Sequence, residues 1–374
     1  MGCGITPVVR GTLLGMGLHP VFIRRLIHVA GMVATVSLLS GVSAVKQPEE
    51  PTKRNEQSSA PTLPWAEVIQ AEVDPAVVTD ATLRDAIKAT ELPWRVRDKG
   101  TKIEMLLVPP GEFVMGKSRG DDEANKDELP AHEVKLTKAF YLGRYEVTQQ
   151  QYARVTKLVP SDFCHPAKPT VPTLEALMAD GAIKSQAERE VSEAKEKWKA
   201  WVATQQQSAS PASDAKGKEW PVETVSWDDC AAFCKKAGFR LPTEAEWEYA
   251  CRAGTGTPRY GELDAIAWCR ENSNDETHAV GTKQANALGL HDMLGNLSEW
   301  VNDWDGSYSE DAQTNPQGPS SDSIRVLRAD EHLRVLRGGS WFYNSNGCRA
   351  SDRSFSNLPR YSNYSIGFRV ARTP

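Results

Sequence analysis

At 374 residues with 40% hydrophobic side chains, the chain is long enough to bury one large core or two ordinary ones. Its formal net charge of −5, with no compensating run of Lys and Arg, offers no basic field to a phosphate backbone, so nucleic acid is excluded as an expected partner. Eleven tryptophans are many for this length, and their first use is to fill the layers of a core.

Arg24 and Arg25 precede an apolar run, Leu26 to Val42, which ends in Val42-Ser43-Ala44. The pattern reads as a secretory signal over residues 1–44, cleaved near Ala44. An exported protein, periplasmic or extracellular, with no stable membrane insertion is the expectation. The rival reading is an uncleaved anchor, since the run sits at the short limit for a bilayer span; His28 and the small residues favour removal. With Cys3 removed, Cys164, Cys230, Cys234, Cys251, Cys269 and Cys348 remain. An oxidising compartment permits disulfides among them, in a pairing the sequence does not choose.

Residues 45–92 read as a linker containing one short helix. The first twenty are rich in Pro, Glu, Lys, Ser and Gln, and Leu83, Ala86 and Ile87 then recur at helical spacing between Asp80 and Thr90. The main domain, residues 93–374, is expected to open at Leu92-Pro93-Trp94. An apolar strand follows from Ile103 to Val108, with Glu112 to Met115 as its hairpin partner. Ser118 to Pro130 carries Asp121, Asp122, Glu123, Asp127 and Glu128 without a cation-loop spacing, and reads as a solvated acidic loop. A strand is expected around Val134 to Leu142. Thr148 and Gln151 then form a capping box that starts a helix at Gln149.

Residues of about 158–218 have the composition of an insertion. Ala187, Val191, Ala194, Trp198 and Trp201 mark one helical stripe, and Gln205 to Ser213 is low-complexity. Beyond it, Ser226 with Asp229 caps a helix that carries Cys230, Phe233 and Cys234 and ends at Gly238. Thr243 with Glu246 caps a second helix, stopped at Gly254, whose Glu244 and Glu248 are expected to serve helix formation and surface contacts.

The most informative stretch is the last, RGGSWFYNSNGCRASDRSFSNLPRYSNYSIGFRVAR from Arg337 to Arg372. Gly338 and Gly339 open it with a turn, and Ile366-Gly367-Phe368-Arg369 closes it. The segment between is rich in Tyr, Ser, Asn and Arg, a vocabulary of recognition surfaces. Trp341, Tyr343, Asn344, Asn346, Arg349, Tyr361 and Tyr364, with Arg353, are the candidate contact residues for a protein, peptide or other extracytoplasmic ligand.

Together with PPGEFVMG (Pro109 to Gly116), RLPTEAEWEYACRAG (Arg240 to Gly254) and GLHDMLGNLSEW (Gly289 to Trp300), this stretch resembles the formylglycine-generating enzyme, or sulfatase-modifying factor, family. The resemblance implies an α+β domain of the C-type-lectin-like kind, loop-rich and low in regular secondary structure. It also implies calcium, with Asp292 and Glu299 giving side-chain oxygens and Gly295 and Leu297 giving carbonyls. Asn272 and the Asn274-Asp275-Glu276 loop match a second calcium site less closely. It further implies a bridge between Cys251 and Cys348.

The family enzyme converts a client sulfatase's cysteine to formylglycine with dioxygen and copper(I), which it holds between two thiolates spaced C-x4-C. Copper(I) is soft and takes paired sulfurs. Here Tyr343 stands at the first position and Cys348 at the second, so the pair is incomplete and copper is in doubt. Ser298 and Ser365 also depart from the pattern, at the dioxygen-pocket aromatic and at an asparagine, whereas Ser340 and Arg353 match it. Cys348, Ser340 and Arg353 are therefore the candidate catalytic residues. Two functions stand side by side: a non-oxidase binding member of the family, and an active oxidase whose missing sulfur comes from elsewhere in the fold.

Overall fold

Polar caps set the starts of the helices. Asp80 accepts a hydrogen bond from the Leu83 N–H at the head of α1 (Ala81–Lys88). Reciprocal capping boxes open α2 (Gln149–Thr156) at Thr148/Gln151, α3 (Trp227–Ala237) at Ser226/Asp229 and α4 (Glu244–Arg252) at Thr243/Glu246. Each box satisfies two N–H groups that a helix N-terminus leaves without partners. Gly238 ends α3 in the left-handed conformation, as its sequence position predicts. Helix α4 stops one residue early, because Ala253 already takes that conformation ahead of Gly254. A short α5 (Leu263–Ile266) follows.

The computed structural model describes residues 63–163, 219–319, 324–328 and 331–374, with short helical pieces between 192 and 200. The signal and most of the tether expected upstream, Cys164, and the low-complexity part of the insertion lie outside the described residues. Residues 192–193, 196–197 and 199–200 are helical, within the stripe that the insertion's periodicity marks.

Strand order explains where the sequence reading of the first half goes astray. An antiparallel sheet runs β1 (Ala66–Gln70), β2 (Arg95–Asp98), β3 (Glu104–Val108), β6 (Phe140–Gly143), β14 (Ala371–Arg372). Residues 63–92 are therefore no linker. β1 pairs with β2, and Leu63, Ala66, Val73, Val78 and Ile87 lie buried in the same core as β3. β4 (Gly111–Met115) is not the hairpin partner of β3. Pro109-Pro110 turns the chain out of the first sheet, and β4 pairs with β5 (His132–Leu136), which also takes β8 (Gln313–Thr314) in parallel. The single strand expected near Val134 to Leu142 is thus two strands in two sheets.

The sheet that positions the site is β12 (Ser356–Asn357), β11 (Arg334–Arg337), β7 (Ser298–Trp304), β13 (Ile366–Gly367). β9 (Val326–Arg328) and β10 (Glu331–His332) form a separate ribbon. The start of the Arg337–Arg372 segment and its closing Ile366-Gly367 are thereby paired to β7, antiparallel through β11 and parallel through β13. Helix α4 packs against the same sheet and contributes the fully buried Trp247 to the core.

Glu244 and Glu248 are not surface residues. Glu248 is buried against Arg337 and Arg252, and Glu244 against Arg353 and Arg337. Burial is the largest single influence on the Glu244 carboxyl and raises its pKa, but the two arginines and the Tyr308 hydroxyl together outweigh it and hold the pKa below the ordinary value. These pairs fasten α4 to the start and the middle of the Arg337–Arg372 segment.

Candidate functional site

The Gly338-Gly339 turn shapes the site. Both glycines have positive φ, +95° and +71°, and a Cβ on Gly339 would stand 2.7 Å from the Gly347 carbonyl oxygen. Only glycine lets the turn lie against the 3-10 turn Ser345–Gly347. Ser340 is buried beneath, its Oγ accepting the Phe342 N–H at 3.3 Å.

An aromatic platform then forms ring on ring. Trp341 meets Phe163, Tyr364 and Phe342 at centroid distances of 5.2, 5.5 and 5.5 Å. Phe342 also meets Tyr343 and Tyr364, Tyr343 stacks on Phe355 at 4.0 Å, and Arg270 lies over Phe342. Trp341 is a buried anchor whose Nε1 donates to the Tyr364 carbonyl. Tyr361, Tyr364, Asn344 and Asn346 are exposed, and Phe342 and Tyr343 are half-buried. Of the expected contact residues, four are therefore exposed, and Trp341, Tyr343 and Tyr364 are joined through ring contacts that run by way of Phe342. Phe163, Arg270 and Phe355 join them without any local motif to announce them.

Arg349 and Arg353 are corrections to that contact list. Arg349 points inward to Asp121 (2.9 Å), Glu128 (2.7 Å) and Asp352 (3.3 Å). The acidic loop is accordingly solvated only in part: Asp122 and Glu123 are exposed, Asp121 and Glu128 buried. Arg353 binds Glu244 at 2.8 Å and donates to the Gly306 carbonyl, with its guanidinium over the Tyr308 ring. It is buried 1–2% exposed and does not reach the platform.

The cysteines are arranged differently from the expectation. Cys251 and Cys348 are both free thiols, and Cys251 faces the Met293 carbonyl. The partner of Cys348 is Cys269, 79 residues earlier in the chain (348 − 269), and the two thiols are hydrogen-bonded to each other. That bond holds Cys269 below an ordinary thiol's pKa and, together with burial, pushes Cys348 well above it. A second sulfur thus comes from outside the C-x4-C segment, which the count of sulfurs within that segment misses. Paired soft donors fit copper(I), and the residues to hold it would be Cys269 and Cys348, not Tyr343. Both are buried. Ser298 and Ser365, the other departures, sit side by side: the Ser298 N–H donates to the Ser365 carbonyl at 2.9 Å, and both side chains are buried.

Of the calcium positions, Glu299 is taken up by other partners and Asp292 only in part. Glu299 is 1% exposed and accepts both Arg369, in a fork of 2.6 to 2.9 Å, and the Trp247 indole N–H at 2.7 Å. Asp292 Oδ2 accepts the Gly281 N–H, and Oδ1 is buried without a partner. Gly295 is required for packing: its φ is +77°, and a Cβ there would stand 2.4 Å from the Trp268 carbonyl oxygen. Asn272 closes its own turn onto Cys269 N–H, and Asn274, Asp275 and Glu276 are exposed. Among the described residues no three His, Cys, Asp or Glu side chains converge in metal-holding geometry. The donor set fails at Glu299, where a guanidinium already supplies the positive charge. Adding saturating calcium or a chelator is expected to move the thermal unfolding midpoint by less than about 1 °C, because a bound ion would raise it by linkage. A calcium-dependent rise of several degrees in a melting curve would contradict this.

Comparison with known proteins supplies the family. The chain is 31% identical over 304 residues to the formylglycine-generating enzyme of Streptomyces coelicolor, covering 74% of this chain and 90% of that one. It is 27% identical over 312 residues to the inactive C-alpha-formylglycine-generating enzyme 2 of Bos taurus, covering 74% and 91%. Among solved structures it is similar to Treponema denticola variable protein 1, with 25% identity, a TM-score of 0.51 and coverage of 73% of this chain and 95% of that one. The family described as "Sulfatase-modifying factor enzyme 1-like domain" matches residues 91–374, which takes in all four sequence blocks, the platform and both thiols, and the chain belongs to that family.

Proposed function

We propose that the chain is an exported binding member of the family, one that holds a protein or peptide on the Trp341–Tyr364 platform and does not carry out the oxidase reaction. The observation that carries this reading is the placement of sulfur relative to surface. Cys269 and Cys348 are both 0% exposed, while Tyr343, at the position of the first copper cysteine, is in the half-buried ring layer. A client cysteine has to reach the metal to be oxidised, and no thiol of this pair faces outward. Aromatic rings anchored by Trp341 and rimmed by Asn344 and Asn346 suit contact with a partner at low entropic cost. The inactive bovine relative supports the reading that family members exist without the reaction. Export rests on Arg24-Arg25 and the apolar run to Val42.

A second reading has one specific observation in its favour. The Cys269–Cys348 contact supplies the twin soft donors that the local sequence lacks, so an oxidase built on that pair is the alternative. Incubating the purified chain with copper(I), dioxygen and a Cys-x-Pro-x-Arg peptide separates the two. The expected result is a peptide of unchanged mass; conversion of its cysteine to an aldehyde, detected by mass and by hydrazide capture, would establish the oxidase.

A further inference from the structure

We infer that Cys269 and Cys348 are a disulfide site that staples the recognition loop to the segment after α5. The two residues lie on separate loops that are already docked on each other. Arg270 N–H donates to the Tyr343 carbonyl at 3.0 Å and Arg270 Nε to the Phe342 carbonyl at 2.9 Å. Ser273 Oγ donates to the Trp341 carbonyl at 3.1 Å, and Ser345 N–H to Glu271 at 3.2 Å. Arg259 bonds the Cys348 carbonyl at 2.9 Å from the other side. These contacts fix both backbones on either flank of the thiol pair, and the thiols are in mutual contact between them. Among the other described cysteines, Cys251 faces the Met293 carbonyl, and Cys230 and Cys234 lie on α3.

The step is a thiol–disulfide exchange with a protein or small-molecule disulfide, such as oxidised glutathione, before the pair is sealed by folding. The Cys269 thiolate attacks one glutathione sulfur and releases the first glutathione thiolate. The Cys348 sulfur, giving up its proton, then attacks the Cys269 sulfur of the mixed disulfide and releases the second. Two protein thiols and one oxidised glutathione become one protein disulfide and two reduced glutathiones. The loop so closed spans 79 residues, long enough for a large effect on the unfolded chain.

The test is to produce the full chain in an oxidising compartment and in a reducing cytoplasm, block free thiols under denaturing conditions, and map the non-reduced digests by mass. A cross-linked peptide pair joining Cys269 to Cys348 is expected from the oxidising preparation alone. That preparation should also melt roughly 5 °C or more above its reduced form. Recovery of both thiols free from the oxidising preparation, or of a Cys251–Cys348 link, would overturn the assignment. The wild-type chain carries the test, so it does not depend on a variant that fails to fold.

Discussion

Arg369→Met is expected to lower stability by about 3–5 kcal/mol, the range for removing one partner of a buried ion pair. The guanidinium is fully buried, forks onto Glu299, and donates to the carbonyls of Gly143, His291 and Asp292. It is also the charge that offsets Glu146 and Asp292, whose carboxyls burial pushes up, Asp292 to about 6 and Glu146 well above its ordinary value. Methionine fills much of the volume and leaves Glu299 with the Trp247 N–H alone. Arg369→Lys keeps the charge but not the fork, and should recover only part of the loss. Urea unfolding at constant m gives the number. A loss below about 1 kcal/mol would mean that the carboxylates have another counter-charge.

Asp303 should make stability fall with rising pH, and Asp303→Asn should remove its share of that fall, leaving the shares of Glu146, Glu223, Asp292 and Asp352, whose carboxyls are also raised. Burial, with the Glu244 charge next to it, raises the Asp303 carboxyl from 3.8 to about 8, against the Glu244 N–H bond and Arg353, which lower it. Between those values the unfolded chain releases the proton and the folded chain keeps it. Stability therefore drops across that window by up to about 1.4 kcal/mol per pH unit. Asparagine still accepts the Glu244 N–H and has nothing to ionise. The variant should match the wild type near pH 4 and exceed it by on the order of 3–5 kcal/mol at pH 8. Glu104, Glu128 and Glu244 act in the opposite sense: their arginines hold the folded pKa down, so their contribution is lost only as pH falls into the acid range. Denaturant midpoints of both proteins from pH 4 to pH 8 check the difference, and parallel curves would contradict it.

What the sequence made legible is what short-range chemistry decides. Capping pairs three residues apart fixed the helix starts at Gln149, Trp227 and Glu244, and Gly338-Gly339 marked a turn that only glycine can make. Long-range pairing was not legible. β4 reads as the mate of β3 because they are adjacent in the chain, yet the Pro109-Pro110 break sends it to β5. Arg349 reads as a surface residue because its neighbours are Ser and Asn, and its burial depends on Asp121 and Glu128, more than 200 residues away. Cys269 has no motif around it at all; its importance comes from Ser273 and Arg270 docking onto the Trp341–Tyr343 backbone.

On the proposed function, the buried Cys269–Cys348 pair is closed to clients. The most direct measurement of this is alkylation of the native, fully reduced chain with iodoacetamide, followed by peptide mapping. The expected result is that the Cys269 and Cys348 peptides remain unmodified until the protein is unfolded, when both react. Prompt modification of either thiol in the folded protein would show the sulfur pair open to solvent and return the oxidase reading to first place.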